Sequence, residues 1–196
     1  MASVFTHAFV GTALGQTVTG EWRHDWRFWS LLVGSSVLPD IDALGLRVGI
    51  PYGALWGHRG MTHSLLFAAI LAGGLSLAFG KVFRPRWKLA LLLFAATASH
   101  GALDAMTTGG LGIAFFSPFD QHRYFFPWRP IRVSPIRPGA FLGERGIRII
   151  ANELVWVWFP TLAFLILIKA AQVWRRPQAS LNGSLAAPSS PPDVEP

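Results

Sequence analysis

The 196-residue chain contains no cysteine and little charge, with Asp, Glu, Lys and Arg making up only 14% of it. The missing cysteine excludes disulfides, thiolate zinc sites and cysteine nucleophiles. No glycine-rich phosphate loop occurs, and Ser99, His100 and Asp104 do not compose a hydrolase triad. No basic helix or aromatic–basic sheet pattern accompanies the positive charge, which argues against nucleic acid as a partner. The start, Met1-Ala2-Ser3-Val4-Phe5-Thr6-His7, lacks the positive leader of a signal peptide. The apolar stretch that follows is therefore expected to be a retained helix. No internal repeat is evident.

What is present is greasy. Hydrophobic residues make up 52%, with 9 Trp and 15 Phe, and the mean hydropathy is +0.40. This composition points to a membrane protein. The formal net charge of +7, from 17 basic and 10 acidic residues, reads as cytoplasmic-loop bias and contact with anionic lipid. Membrane lipid is thus the expected partner.

Five apolar runs are expected as helices. The first covers about Val4 to Val18. The second, Phe28 to Leu38, stops at Pro39. Each is shorter than the roughly 20 residues that span a bilayer alone. The third begins at Thr62 as N-cap and continues to Phe83. Lys81, Arg84, Arg86 and Lys88 form a basic turn before the fourth, from Leu89 to about Met106, which Gly109-Gly110 ends. Residues 111–150, rich in Pro, Arg and aromatics, read as an irregular interfacial loop with room for a short hairpin. The fifth run, Glu153 to Trp174, carries Pro160 as an expected kink. The tail 177–196, rich in Pro, Ser and Ala, is expected to be disordered. The fold expected is an all-α polytopic membrane bundle of about five helices, one domain over residues 1–176.

Charge bias orients this bundle. The turn at 81–88, Arg175-Arg176 and the pair Arg23 and Arg27 belong on the cytoplasmic side, leaving the N-terminus outside and the C-terminus inside. His7, Asp40, Asp42, His58, His63, His100, Asp104 and Glu153 then fall together on the outer side. His24 falls on the inner side, and His122 reads as a loop residue. The arginines of the long loop, Arg123, Arg129, Arg132, Arg137, Arg145 and Arg148, also fall outside, where an anionic substrate would use them.

That convergence marks the candidate site. Ionisable residues in or beside membrane spans are functional candidates by default, and mixed His/Asp sets suit zinc, manganese or iron. His100 and Asp104, four apart, share one helix face. Asp40 and Asp42 follow a proline stop, where two acids can bridge a dinuclear centre or make an ordinary Asx turn. His58 and His63 are placed in the loop and the first helical turn, with Gly60 allowing the bend. Arg59 is positioned for a phosphate or an acid. His7 is a ligand or a packed core residue, and Glu153 a ligand, a base or a plain helix-start glutamate.

The ordered set Thr6-His7, Gly11, Leu38-Pro39-Asp40-Ile41-Asp42, His58-Arg59-Gly60, Thr62-His63-Ser64, His100, Leu103-Asp104, Thr107 and Gly109 resembles the YdjM-like, LexA-regulated family of bacterial inner-membrane metal-dependent hydrolases, over about residues 1–155. That family is distantly similar to zinc-dependent phospholipases C and single-strand-specific zinc nucleases. The resemblance implies an all-helical enzyme with His and Asp ligands on zinc. This chain has no N-terminal Trp ligand and no second helical His/Glu pair, so a three-zinc site is not expected.

The function expected is metal-dependent hydrolysis of a phosphoester or lipid-linked substrate. One or two divalent ions, zinc or else manganese or iron, would bind His7, Asp40, Asp42, His58, His63, His100 and Asp104. Asp42 or Glu153 would take a proton, and Arg59 would neutralise a phosphate. The alternative is a non-catalytic metal-binding or structural membrane protein.

Overall fold

The computed structural model describes residues 1–18, 20–136 and 138–174, with the side chain of Pro138 left aside. The expected disordered tail and Arg175-Arg176 lie outside the described residues. Within them the regular structure is helical: α1 Val4–Gln16, α2 Trp26–Val37, α3 Leu65–Phe79, α4 Arg86–Ala105, α5 Glu144–Glu153 and α6 Phe159–Trp174.

Three helix starts have a local cause. A side-chain acceptor at the N-cap satisfies one of the free N–H groups of the first turn. Ser3 does this for α1, accepting from the Thr6 N–H, and Asp25 does it for α2 from the Arg27 N–H. The cap of α3 is Ser64, which accepts from the Phe67 N–H at 3.0 Å. The expectation that Thr62 caps this helix is corrected: Met61–His63 form a separate 3-10 turn, and the Thr62 hydroxyl donates to Asp42 instead.

Pro39 does not end the second run as a loose turn. The chain tightens there into a 3-10 segment, Leu38–Val48, with Pro39 in its first turn and Gly49 closing it at φ 86°. Proline tolerates this position because its missing N–H would be unpaired anyway.

Helix α4 is the central element, packing on α3, α2 and α1, while α1 also packs on α2. The core between them gathers Val18, Phe28, Leu32, Ala72, Phe83, Leu89, Leu93 and Ala96. Trp22 and Phe28 meet Phe83 at ring separations of 5.6 and 5.9 Å. Helices α1 and α2 approach closely at Gly11, where a Cβ would sit 2.5 Å from Ser36 Oγ. The turn at 21–27 and the turn at 81–84 line one shallow depression, at the N-terminal end of α4, away from His100 and Asp104.

Residues 107–133 lace over the opposite end. Leu65 N–H donates to the Phe115 carbonyl at 3.0 Å, Ala114 N–H to Arg59 at 3.2 Å, and Phe126 N–H to Ala105 at 3.0 Å. The hairpin foreseen here is reduced to isolated pairings, Ile113 with Tyr124 and Thr107 with Ile131.

The last helical stretch starts at Glu144, nine residues before the expected Glu153, and runs as one 31-residue helix to Trp174. Ahead of Pro160 it widens into a π turn, Leu154–Trp158. Such a widening accommodates a residue that cannot donate to the helical ladder. Among the described residues this helix is the one long and apolar enough to cross a membrane, with mean hydropathy 2.0 over an 18-residue stretch whose side chains mostly face outward from the protein. Leu65–Phe79 is apolar but shorter, at 15 residues.

Candidate metal centre

The site forms where α1, the 38–48 segment, the 58–63 turn and the last turns of α4 meet. His7, His58, His63, His100, Asp42 and Asp104 are buried. Asp40 is the least enclosed, its side chain 11% exposed.

Hydrogen bonds, close carboxylates and ring stacking fix the imidazoles. The His100 Nδ1–H donates to the Ser36 carbonyl at 2.8 Å, which directs Nε2 toward Asp40 Oδ1, 3.3 Å away. His58 donates through Nδ1 to Asp42 Oδ1 at 2.6 Å. His63 sets Nδ1 against Asp42 Oδ2 at 3.0 Å and Nε2 at 3.7 Å from Asp40 Oδ1. His7 stacks on His100 at a ring separation of 3.6 Å and places Nε2 3.4 Å from Asp104 Oδ1. The Ala2 N–H also donates to that oxygen, at 2.6 Å.

Three-residue periodicity explains how two neighbouring acids differ. In a 3-10 helix, residues two apart point roughly 120° from one another. Asp40 therefore turns toward His63 and His100, and Asp42 toward His58, Arg59 and Thr62. Asp42 Oδ2 accepts from the Arg59 N–H at 3.0 Å and the Thr62 hydroxyl at 2.6 Å. Its lone pairs are thus spent on orienting two histidines. Burial would raise the Asp42 carboxyl, but the His58 and His63 rings hold it below the usual carboxylate range. Burial would likewise depress His63, yet the Asp40 and Asp42 carboxylates outweigh it and raise this imidazole to about 9.

The donor set fits a divalent cation. Buried polar atoms normally have partners, and exceptions call for an explanation. Among the described residues, all such orphans except Arg23 Nε and Ser35 Oγ lie in this cluster. They include both Asp40 oxygens, Asp104 Oδ2 and the Nε2 atoms of His58, His63 and His100. The pattern of Nδ1 tied to an outer partner and Nε2 free is that of a metal-binding histidine. Two sets of four ligand atoms lie within 4.8 Å of one another: Asp40, His63, His100, Asp104, and Asp40, Asp42, His58, His63. Ligands at about 2.0–2.2 Å from a tetrahedral ion would lie roughly 3.3–3.5 Å apart, close to the spacing seen. His7 stands beside both sets rather than within either.

Two expectations change. Arg59 is completely buried and does not face outward toward a phosphate. Its Nε lies 3.1 Å from Asp104 Oδ2, and its Nη atoms donate to the Gly109 carbonyl at 2.7 Å and the Thr107 hydroxyl at 2.9 Å. It compensates Asp104 and pins the 107–109 turn. Its own backbone is left-handed, φ 66°, a conformation that costs a non-glycine residue free energy and concentrates at functional sites. Glu153 is engaged by structural donors of α1 instead of facing the His/Asp cluster. It accepts from the Ser3 N–H at 2.6 Å, the Ser3 hydroxyl at 2.5 Å and the Thr6 hydroxyl at 2.7 Å. It ties the helix that carries His7 to the last helix.

The loop arginine Arg123 is a brace as well, donating to the carbonyls of His58, Tyr52 and Ala54. Sequence reasoning had no signal for Ser3, Ser36 or Arg123 in these roles, since each acts through a contact distant in sequence.

The model of the YdjM inner membrane protein family matches residues 1–177. The inner membrane protein YbcI of Escherichia coli (strain K12) is 34% identical over 182 residues, covering 90% of this chain and 99% of that protein. No solved structure matches.

Proposed function

The chain belongs to the YdjM inner membrane protein family, and from that premise we propose that it is a membrane-bound, metal-dependent hydrolase of phosphoester or lipid-linked substrates. The observation that carries the reading is the concentration of buried, partnerless ligand atoms on Asp40, His58, His63, His100 and Asp104. One ion is assigned to Asp40, His63, His100 and Asp104. A second would be held on the His58 side of the cluster. The N/O donor set favours zinc, with manganese or iron as alternatives. A bound cation supplies Lewis acidity, acidifying water and polarising the scissile group.

The protein's own groups do the rest. Asp42 and Ser36 hold the imidazoles in the tautomer that leaves Nε2 free to ligate. Arg59 offsets the charge of Asp104 in a dry site. Asp40 Oδ2, with no partner and on the least enclosed side, is placed to take the proton of an attacking water. The 107–133 segment shields the site from bulk solvent.

For the membrane arrangement we assign 144–174 as a span. Leu154 to Trp174 alone is roughly 31 Å long at 1.5 Å per residue, against a hydrocarbon core of about 30 Å. Helices α1 to α4 are assigned as a partly embedded bundle, completing a five-helix topology. The clustering of the 21–27 and 81–88 basic turns at one end supports a cytoplasmic assignment for that end. The metal centre then faces the outer side.

Metal analysis of the purified protein tests the reading. At least one stoichiometric transition metal is expected, and His100→Ala should remove it together with hydrolysis of a phosphodiester panel. Protein that neither carries nor acquires metal would overturn the proposal. Metal bound without any hydrolysis would move the assignment to a non-catalytic metal-binding membrane protein.

A further inference from the structure

A cleft of about 790 Å³ opens beside Asp40, within the range of about 300–1,000 Å³ usual for ligand pockets. Its walls are chiefly apolar: Val4 and Phe5 from α1, Leu44 from the 3-10 segment, Ile136, and Leu142 just before α5. These side chains are substantially exposed, Leu142 to 81%. Apolar surface of this kind, gathered in one concavity, marks a binding site rather than random exposure.

Two features set what binds there. The polar end of the cleft is lined by Asp40, whose two carboxylate oxygens are buried toward the metal centre, and by Arg47, which is exposed. Arg47 makes no ion pair or side-chain hydrogen bond among the described residues. An unpaired guanidinium beside a predicted cation site favours an anion, and its fork geometry suits phosphate. The apolar end adjoins the candidate membrane span: Phe141 and Leu142 lie just ahead of Gly143 and Glu144, the first residue of the helix long enough to cross a bilayer.

We infer that this cleft takes a membrane phospholipid, its phosphate held by Arg47 at the end of the cleft nearest Asp40 and one acyl chain along Phe5, Leu44 and Leu142. The inference rests on the hydrolase reading and names its substrate class: a phosphate ester drawn from the surrounding leaflet. The acyl chain supplies affinity through buried apolar area, about 0.8 kcal/mol per methylene in full burial, and Arg47 supplies selection for negative charge. The acyl chain does not touch the reacting atoms, while Arg47 contacts the phosphate; together they present the ester to the metal centre.

Photo-labelling tests this directly. The full chain is placed in phosphatidylcholine nanodiscs containing phosphatidic acid with a diazirine in its acyl chain, and adducts are mapped by mass spectrometry. Adducts are expected on Phe5, Leu44 or Leu142. Arg47→Gln should lower their yield about fivefold relative to adducts on the outward face of α6, and Leu44→Asp should lower it further. Metal stoichiometry and cleavage of a soluble phosphodiester are read on the same unsubstituted protein. Metal-loaded, hydrolytically active protein whose adducts lie only on Phe164, Ile166 and Leu167 would overturn the lipid assignment while leaving the hydrolase reading intact. Cleft labelling by protein that binds no metal would overturn the substrate role through the metal, which separates the two failures. Unchanged cleft labelling in both variants would also refute it.

Discussion

Replacing Asp42 with asparagine separates a ligand from an orienting residue. Asp42 Oδ2 receives three donors, from Arg59 N–H, Thr62 Oγ1 and His63 Nδ1, and Oδ1 receives one, from His58 Nδ1. An asparagine must place an NH₂ group at one of these positions. Facing Oδ2 it would meet three donors, so it turns toward His58. The His58 ring must then accept at Nδ1 and carry its proton on Nε2, where it can no longer ligate. His63 keeps its acceptor, and His100 keeps Ser36. The substitution should therefore weaken metal binding on the His58 side and spare the ion proposed for Asp40, His63, His100 and Asp104. Loss of an outer partner of a metal-bound histidine typically costs 10–100-fold in affinity, about 1.4–2.7 kcal/mol. Competition against a chelator of known affinity, with metal counted per chain, measures both numbers. Complete loss of all metal in Asp42→Asn, matching Asp40→Asn, would refute the orienting role and make Asp42 a direct ligand. Unchanged affinity would refute the tautomer argument.

Other expectations follow from the same geometry. Glu153→Ala strands the Ser3 N–H and two hydroxyls in a buried site, and each bond to a charged acceptor is worth about 1.5–3 kcal/mol. Thermal unfolding in detergent should shift down by several degrees, and an unshifted midpoint would show that Glu153 is not a latch. His63, raised from 6.5 to about 9 by two carboxylates, stabilises the metal-free fold fully below about pH 6.5, and that contribution disappears as pH rises through about 9. A cation must displace this proton, so metal affinity should climb between pH 6.5 and 9; a flat profile in a metal titration would contradict the geometry. A reporter fused after Arg176 should be active in the cytoplasm, and an outward-facing C-terminus would break the proposed topology.

Much of this protein is local enough to read along the chain. Apolar runs, caps and the i, i+4 spacing of His100 and Asp104 are properties of neighbours, so helical content and the face shared by that pair were legible. The ligand types were legible too, because so few ionisable residues interrupt the apolar stretches. The boundaries that slipped, at Thr62 and Glu153, are those where a side chain found a distant partner in place of a local one.

The sequence by itself determined an all-helical chain of membrane composition carrying His and Asp in three clusters. Only the tertiary structure decided what each of them does. It turned Asp40 inward to the imidazole Nε2 atoms and spent Asp42 on their Nδ1 atoms, through the tight winding of residues 38–48. It buried Arg59 against Asp104 and committed Glu153 to Ser3 and Thr6. The physical reason is that hydrogen-bond saturation, unlike helix propensity, depends on which distant groups meet. A carboxylate oxygen left without a hydrogen bond by that meeting, as on Asp40 and Asp104, is placed to hold a cation, while Asp42 spends both of its oxygens on donors.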